Sequence, residues 1–122
     1  LTPLAKVGGS CYSLNASELD SIAIQGALAK VPDDVRISEA ILGNVVSAGM
    51  GQAPCRQAVL GAGLPESTVC TTINKVCASG MKSVMLASQT LQCNNYGAGI
   101  AMLAGRFESM SNIPHYLPNS RS

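Results

Sequence analysis

Aromatic residues are scarce in this chain: one Phe, three Tyr and no Trp among 122 residues. A base-stacking surface for single-stranded nucleic acid has almost nothing to be built from. Charge is scarce too, at 12% of residues with a net of +1, so neither a basic nucleic-acid face nor an acidic tail is present. There is one histidine and no CxxC pair, which excludes a zinc site of ordinary spacing. No apolar run is long enough to span a bilayer. The opening Leu1-Thr2-Pro3-Leu4 shows neither a signal nor a transit pattern, and because it does not begin with Met the natural start is expected upstream.

What remains is a chain that is 47% apolar with an odd set of five cysteines. That composition suits one small, well-buried domain, or a piece of a larger one, in a compartment that keeps thiols free. Asn15-Ala16-Ser17-Glu18 reads as a capping box opening a helix to about Lys30, with Leu19, Ile22, Ala23, Gly26 and Ala27 as its buried stripe. Ala40 to Val46 is a candidate buried strand, and Gly49 to Gln52 a loop. Pro54 opens a second helix through Ala58, Val59 and Ala62 that stops near Gly63-Leu64-Pro65. Val69-Cys70-Thr71-Thr72-Ile73 is β-branched and reads as a strand, with an edge position for Thr71 to Asn74. A helix follows from Ala78 to about Leu91, with apolar positions at Met81, Val84, Met85 and Leu91. Asn94-Asn95-Tyr96-Gly97 is a turn, Ala98 to Ala104 a last strand candidate, and Pro114 and Pro118 mark an irregular tail. Helix and strand alternate three times. That pattern predicts an α/β fold, a mixed, mostly parallel sheet covered by helices.

Cys77 lies between the β-branched run and the third helix. Unpaired N–H groups and the positive end of the helix dipole gather at such a junction. They favour thiolate over thiol and receive a developing oxyanion, so Cys77 is a candidate nucleophile and its backbone N–H a candidate oxyanion donor. Cys11, Cys55, Cys70 and Cys93 read as structural or incidental. His115 reads as a loop residue, Met81, Met85, Met102 and Met110 as core, and Arg56 as the partner of a carboxylate rather than of a phosphate.

Three blocks carry a resemblance to the thiolase family, within it the biosynthetic acetoacetyl-CoA thiolases (acetyl-CoA C-acetyltransferases). Gly43-Asn44-Val45 with Gly51-Gln52-Ala53-Pro54 and Arg56-Gln57-Ala58 resembles the family's GNV…GQAPxRQA segment. Thr72-Ile73-Asn74-Lys75-Val76-Cys77-Ala78-Ser79-Gly80-Met81-Lys82 resembles its nucleophile segment. Glu108-Ser109-Met110-Ser111-Asn112 with Pro114-His115 resembles its ESMSxxPH segment. The resemblance implies that residues 1–122 are a partial N-terminal domain, lacking the family's first strand and its whole second half. It implies an acyltransferase that joins two acetyl-CoA into acetoacetyl-CoA, reversibly, through an acetyl thioester on Cys77. It implies no resident cofactor, since coenzyme A enters as part of the substrate, and no nucleic-acid or membrane partner. The parent protein is expected to be a dimer or tetramer in the mitochondrion, with the cytoplasm as the alternative. The activating histidine and the second cysteine belong to GHP and CxGGG segments that have no match here, nor do the residues behind the potassium dependence of some members. The chain alone is therefore expected to be inactive. The alternative is a truncated or divergent chain that acts only by association, through a bare sheet edge and uncovered apolar helix faces. Two departures stand out. Gly105-Arg106-Phe107-Glu108 occupies the place of the family's Gly-Gly-Met-Glu, adding bulk and charge beside the expected site. The stretch from Cys93 to Gly105 is a few residues longer than usual.

Overall fold

A computed structural model of the chain describes residues 2, 4–93 and 96–119. The elements follow the expected alternation: α1 (Ala16–Leu28), β1 (Arg36–Gly43), α2 (Pro54–Gly61), β2 (Val69–Ile73), α3 (Ser79–Gln92) and β3 (Ile100–Arg106), then a 3-10 turn at Met110–Asn112. The capping box is formed: Glu18 N–H donates to Asn15 Oδ1 at 2.9 Å, and Asn15 N–H to Glu18 Oε2 at 2.8 Å. β1 starts at Arg36 and stops at Gly43, earlier at both ends than its apolar run. Of the expected turn after α3, Asn94 and Asn95 lie outside the described residues.

The three strands are parallel in the order β2-β1-β3, which makes β2 an edge of the described sheet. Side chains alternate along β1, so each helix layer meets one parity. Ala40 and Leu42 join Ala16 and Ile24 of α1, Cys55, Ala58 and Val59 of α2, and Phe107 in one buried cluster. Ile41 and Gly43 point the other way, toward α3, whose first residues press on Gly43. Both crossovers pass through a helix, as parallel neighbours require.

Two expected stripes are wrong. On α1 the buried residues are Ala16, Ser17, Asp20 and Ile24, while Ile22, Gly26 and Ala27 are exposed. Beside the apolar cluster, α1 is tied to α2 by a polar contact, Ser21 Oγ donating to the Ala58 carbonyl at 2.9 Å. On α3 the buried residues are Ser79, Ser83 and Ala87. Met81, Val84, Met85 and Leu91 are exposed, and so is Met110. α3 sits so close to the sheet that Ser83 Oγ donates to the Gly105 carbonyl at 2.9 Å. Only small side chains fit that gap, so the larger apolar ones turn outward.

Asp20 is buried, and its Oδ2 has no hydrogen-bond partner among the described residues. Burial raises its pKa from 3.8 to about 6. A folded-state pKa above the unfolded one means full stability below about pH 4 and a loss as pH rises through about 6. We expect Asp20→Asn to remove most of that loss, a gain on the order of 1–3 kcal/mol near neutral pH. Urea midpoints of the two proteins at acid and neutral pH check this; a variant with the same pH slope as the parent contradicts it.

Candidate functional site

β2 ends at Ile73, and the chain turns sharply before α3 begins. Asn74 Oδ1 accepts the Val76 N–H at 2.9 Å. Val76 is then held at φ +52°, a left-handed conformation that costs a β-branched residue free energy. Ser79 closes the turn. Its Oγ accepts the Lys75 N–H at 2.8 Å and donates to the Val76 carbonyl at 2.6 Å. The Ala78 and Ser79 N–H groups donate to the carbonyls of Lys75 and Val76, both at 3.1 Å. Cys77 is left exposed on the outside of this elbow, just ahead of the helix rather than inside its first turn.

The floor under the elbow is the carboxyl end of β1. A Cβ on Gly43 would lie 2.5 Å from Ser79 Cβ and 2.9 Å from the Ser79 carbonyl carbon. Beside it, the chain after β3 returns across the strand ends. The Phe107 N–H donates to the Gly43 carbonyl at 3.0 Å, and Asn44 Nδ2 to the Phe107 carbonyl at 3.1 Å. The Glu108 carboxylate accepts the Val45 N–H at 2.6 Å and the Val46 N–H at 3.2 Å. Arg106 bridges the two structures. Its Nη1 donates to the Cys77 carbonyl at 3.2 Å, its Nη2 lies 3.7 Å from Glu108 Oε1, and its stem covers Gly80. The added bulk and charge expected at Arg106 therefore lie against the backbone of Cys77.

The other candidates scatter. Cys55 is fully buried at the start of α2, and burial pushes its thiol up to about 12. Cys70 is half-buried on β2, Cys93 is exposed at the end of α3, and His115 is exposed in the tail. Arg56 corrects its expectation: its guanidinium donates to the backbone carbonyls of Glu66 and Thr68, not to a carboxylate. A cleft of about 200 Å³ lined by Asn15, Ser17, Met50, Gln57 and Asn112 does not include Cys77. Among the described residues no group of three His, Cys, Asp or Glu side chains is placed to hold a metal, and no helix is long and apolar enough to cross a membrane. The residues that sequence reasoning missed are Ser79, Asn44 and Glu108. Each lies within a motif block already noted, but which backbone groups they satisfy depends on strand ends that meet only in the fold.

The fold and the site together define an α/β domain that presents a cysteine thiol at a strand-to-helix elbow, above the carboxyl ends of parallel strands. The family model for the thiolase N-terminal domain matches residues 1–122, and the chain belongs to the thiolase family. It is 55% identical over 121 residues to acetyl-CoA acetyltransferase 1 of Arabidopsis thaliana, covering 98% of this chain and 28% of that protein. It is 56% identical over 118 residues to human mitochondrial acetyl-CoA acetyltransferase, covering 95% of this chain and 27% of that one. A crystal structure of an Ascaris suum thiolase in complex with coenzyme A superposes with a TM-score of 0.86 at 38% identity, over 97% of this chain and 30% of that one. The chain thus spans under a third of the length of these relatives.

Two outcomes are expected. Gly43→Ala forces α3 off its seat, lowering stability by about 1–3 kcal/mol in urea denaturation. In the folded chain a haloacetamide near pH 8 alkylates Cys77 at least ~100-fold faster than Cys55, which reacts at a comparable rate only after unfolding. Peptide mapping over time distinguishes the two thiols.

Proposed function

We propose that these residues are the nucleophile-bearing segment of an acetyl-CoA C-acetyltransferase, with Cys77 as the acetyl carrier. The observation that carries the reading is the elbow: an exposed thiol held at a left-handed turn, with a helix start behind it and strand ends below. Its support comes from the acetyl-CoA acetyltransferase names of the relatives and the coenzyme A in the Ascaris structure.

In this reading the Cys77 sulfur attacks the thioester carbonyl of acetyl-CoA. A carbon–sulfur bond forms, and the carbonyl electron pair moves onto oxygen, where the Cys77 backbone N–H donates to it. Collapse breaks the bond to the coenzyme A sulfur, which leaves with the proton that Cys77 gave up. A second acetyl-CoA then loses a methyl proton to a base. Its carbanion attacks the acetyl carbon, releases the Cys77 thiolate and forms acetoacetyl-CoA. Thiolysis runs the same steps backward. Small neighbours, Ala78, Ser79 and Gly80, leave room for the thioester. Arg106 steadies the Cys77 carbonyl, and so the peptide unit that follows the thiol. The histidine and second cysteine that move protons in the family lie in segments with no match in these residues. Coenzyme A is part of the substrate and no resident cofactor is called for. A homo-oligomer and a mitochondrial setting follow from the family reading, the latter supported by relatives named mitochondrial, among them the bovine and human proteins.

The test is to incubate the full natural gene product with acetyl-CoA labelled in the acetyl group, quench in acid and map the peptides. Label is expected on Cys77 and is expected to vanish in Cys77→Ser while persisting in Cys93→Ser. A folded protein that carries label on another cysteine, or on none, overturns the reading. The association-only alternative has its own support in the exposed Met81, Val84, Met85 and Leu91 of α3. It would replace the first reading if the full gene product self-associates in size-exclusion chromatography yet never takes the label.

A further inference from the structure

Cys55 and Cys70, which the sequence marks only as structural or incidental, lie on different elements that the fold brings together. Cys55 sits in the first turn of α2, and its N–H donates to Thr72 Oγ1 on β2 at 3.0 Å. Cys70 and Thr72 are two residues apart on one strand, so their side chains share a face. That face is the one against which the start of α2 is tied. The Cys55 thiol itself donates to the Ala40 carbonyl at 3.6 Å. Ala40 is the residue of β1 that pairs with Cys70 in the parallel ladder. Two independent contacts thus converge on the same place between α2 and the sheet. Both sulfurs are free thiols.

We propose that Cys55 and Cys70 are an oxidisable thiol pair that closes to a disulfide under hydroperoxide and reopens under a dithiol reductant. The two cysteines have different parts. Cys70 is half-buried and is the one a small oxidant reaches, whereas Cys55 is fully buried. Burial raises the Cys70 thiol, but the nearby Arg56 guanidinium works against that rise. The Cys70 thiolate attacks one peroxide oxygen, the O–O bond breaks, and Cys70 becomes a sulfenic acid while the other oxygen leaves as hydroxide and takes up the proton that Cys70 gave up, forming water. The Cys55 sulfur then attacks the Cys70 sulfur. The S–O bond breaks, and the hydroxide leaves as a second water with the Cys55 proton. Two thiols and one hydrogen peroxide give one disulfide and two waters; both sulfurs are oxidised and the peroxide is reduced. The bond ties α2 to β2, the strand that runs into the Cys77 elbow. It requires nothing of the reaction proposed at Cys77.

The experiment treats the reduced chain with hydrogen peroxide, blocks remaining thiols with a maleimide in denaturant, and maps the peptides by mass spectrometry. The expected product is a Cys55–Cys70 disulfide that disappears with dithiothreitol, together with an oxidised chain whose urea midpoint is higher than that of the reduced one. In Cys55→Thr, Cys70 should stop at a sulfenic acid that dimedone captures. In Cys70→Ser, Cys55 should remain a blocked thiol. Recovery of both residues as blocked thiols when Cys77 and Cys93 are already oxidised overturns the proposal. So does a disulfide that joins Cys55 to any other cysteine of the folded chain. Should either variant fail to fold, the peptide map of the unsubstituted chain decides alone.

Discussion

The contact between Gly43 and Ser79 is the constraint on which the rest depends. With no side chain at the end of β1, the first residue of α3 drops onto the strand until the space of a missing Cβ is filled. Ser79 is fully buried there, and a buried hydroxyl must find partners. It finds them in the Lys75 N–H and the Val76 carbonyl, which belong to the turn it has just left. Those bonds draw the chain tight between β2 and α3. Val76 is driven to positive φ, and Cys77 is pushed outward. A left-handed β-branched residue costs about 1–3 kcal/mol. Several hydrogen bonds of about 1 kcal/mol each, including the one from Val76 to Asn74, offset that cost.

The same logic extends sideways along the strand ends. Parallel strands leave unpaired N–H groups where they stop, and here the Glu108 carboxylate collects those of Val45 and Val46. Hydrogen bonds to an ionised acceptor are among the stronger ones. Glu108 thereby fixes the segment after β3 against the segment after β1. Arg106, two residues before it, reaches from that fixed segment to the Cys77 carbonyl. The elbow is held from below by Ser79 and from the side by Arg106. Its positioning is a property of three strand ends and not of the segment around Cys77 alone.

Much of this was legible in the chain. The capping box at Asn15, the three-fold alternation of helix and strand, and a cysteine at the last strand-to-helix junction all read directly, because each is set by neighbours within a few residues. The buried stripes did not. Periodicity places large apolar residues inward, which holds when elements pack at ordinary separation. α3 packs closer than that, so Ser79, Ser83 and Ala87 go in and Met81, Val84 and Met85 go out. Asp20 escaped notice for a related reason, since nothing local marks a carboxylate for burial. Arg56 resembles half of an ion pair, yet it donates to the backbone carbonyls of Glu66 and Thr68.

The five free cysteines show how far the fold, rather than the residue type, decides chemistry. Cys77 and Cys55 each lie next to the start of a helix, α3 and α2, where local rules alone would treat them alike. The floor beneath them differs. Under Cys77 the strand ends, Gly43 admits Ser79, and the thiol is turned out to solvent. Under Cys55 the strands continue, Ala40 and Leu42 fill the space, and the thiol is sealed in a cluster where desolvation outweighs any help from the helix end. One sulfur is left open to solvent. The other meets only what the sheet holds against it, the Ala40 carbonyl and the side chains packed around it, with Cys70 among them. The cysteine by a helix start is exposed where the sheet below it has stopped and buried where the sheet runs on.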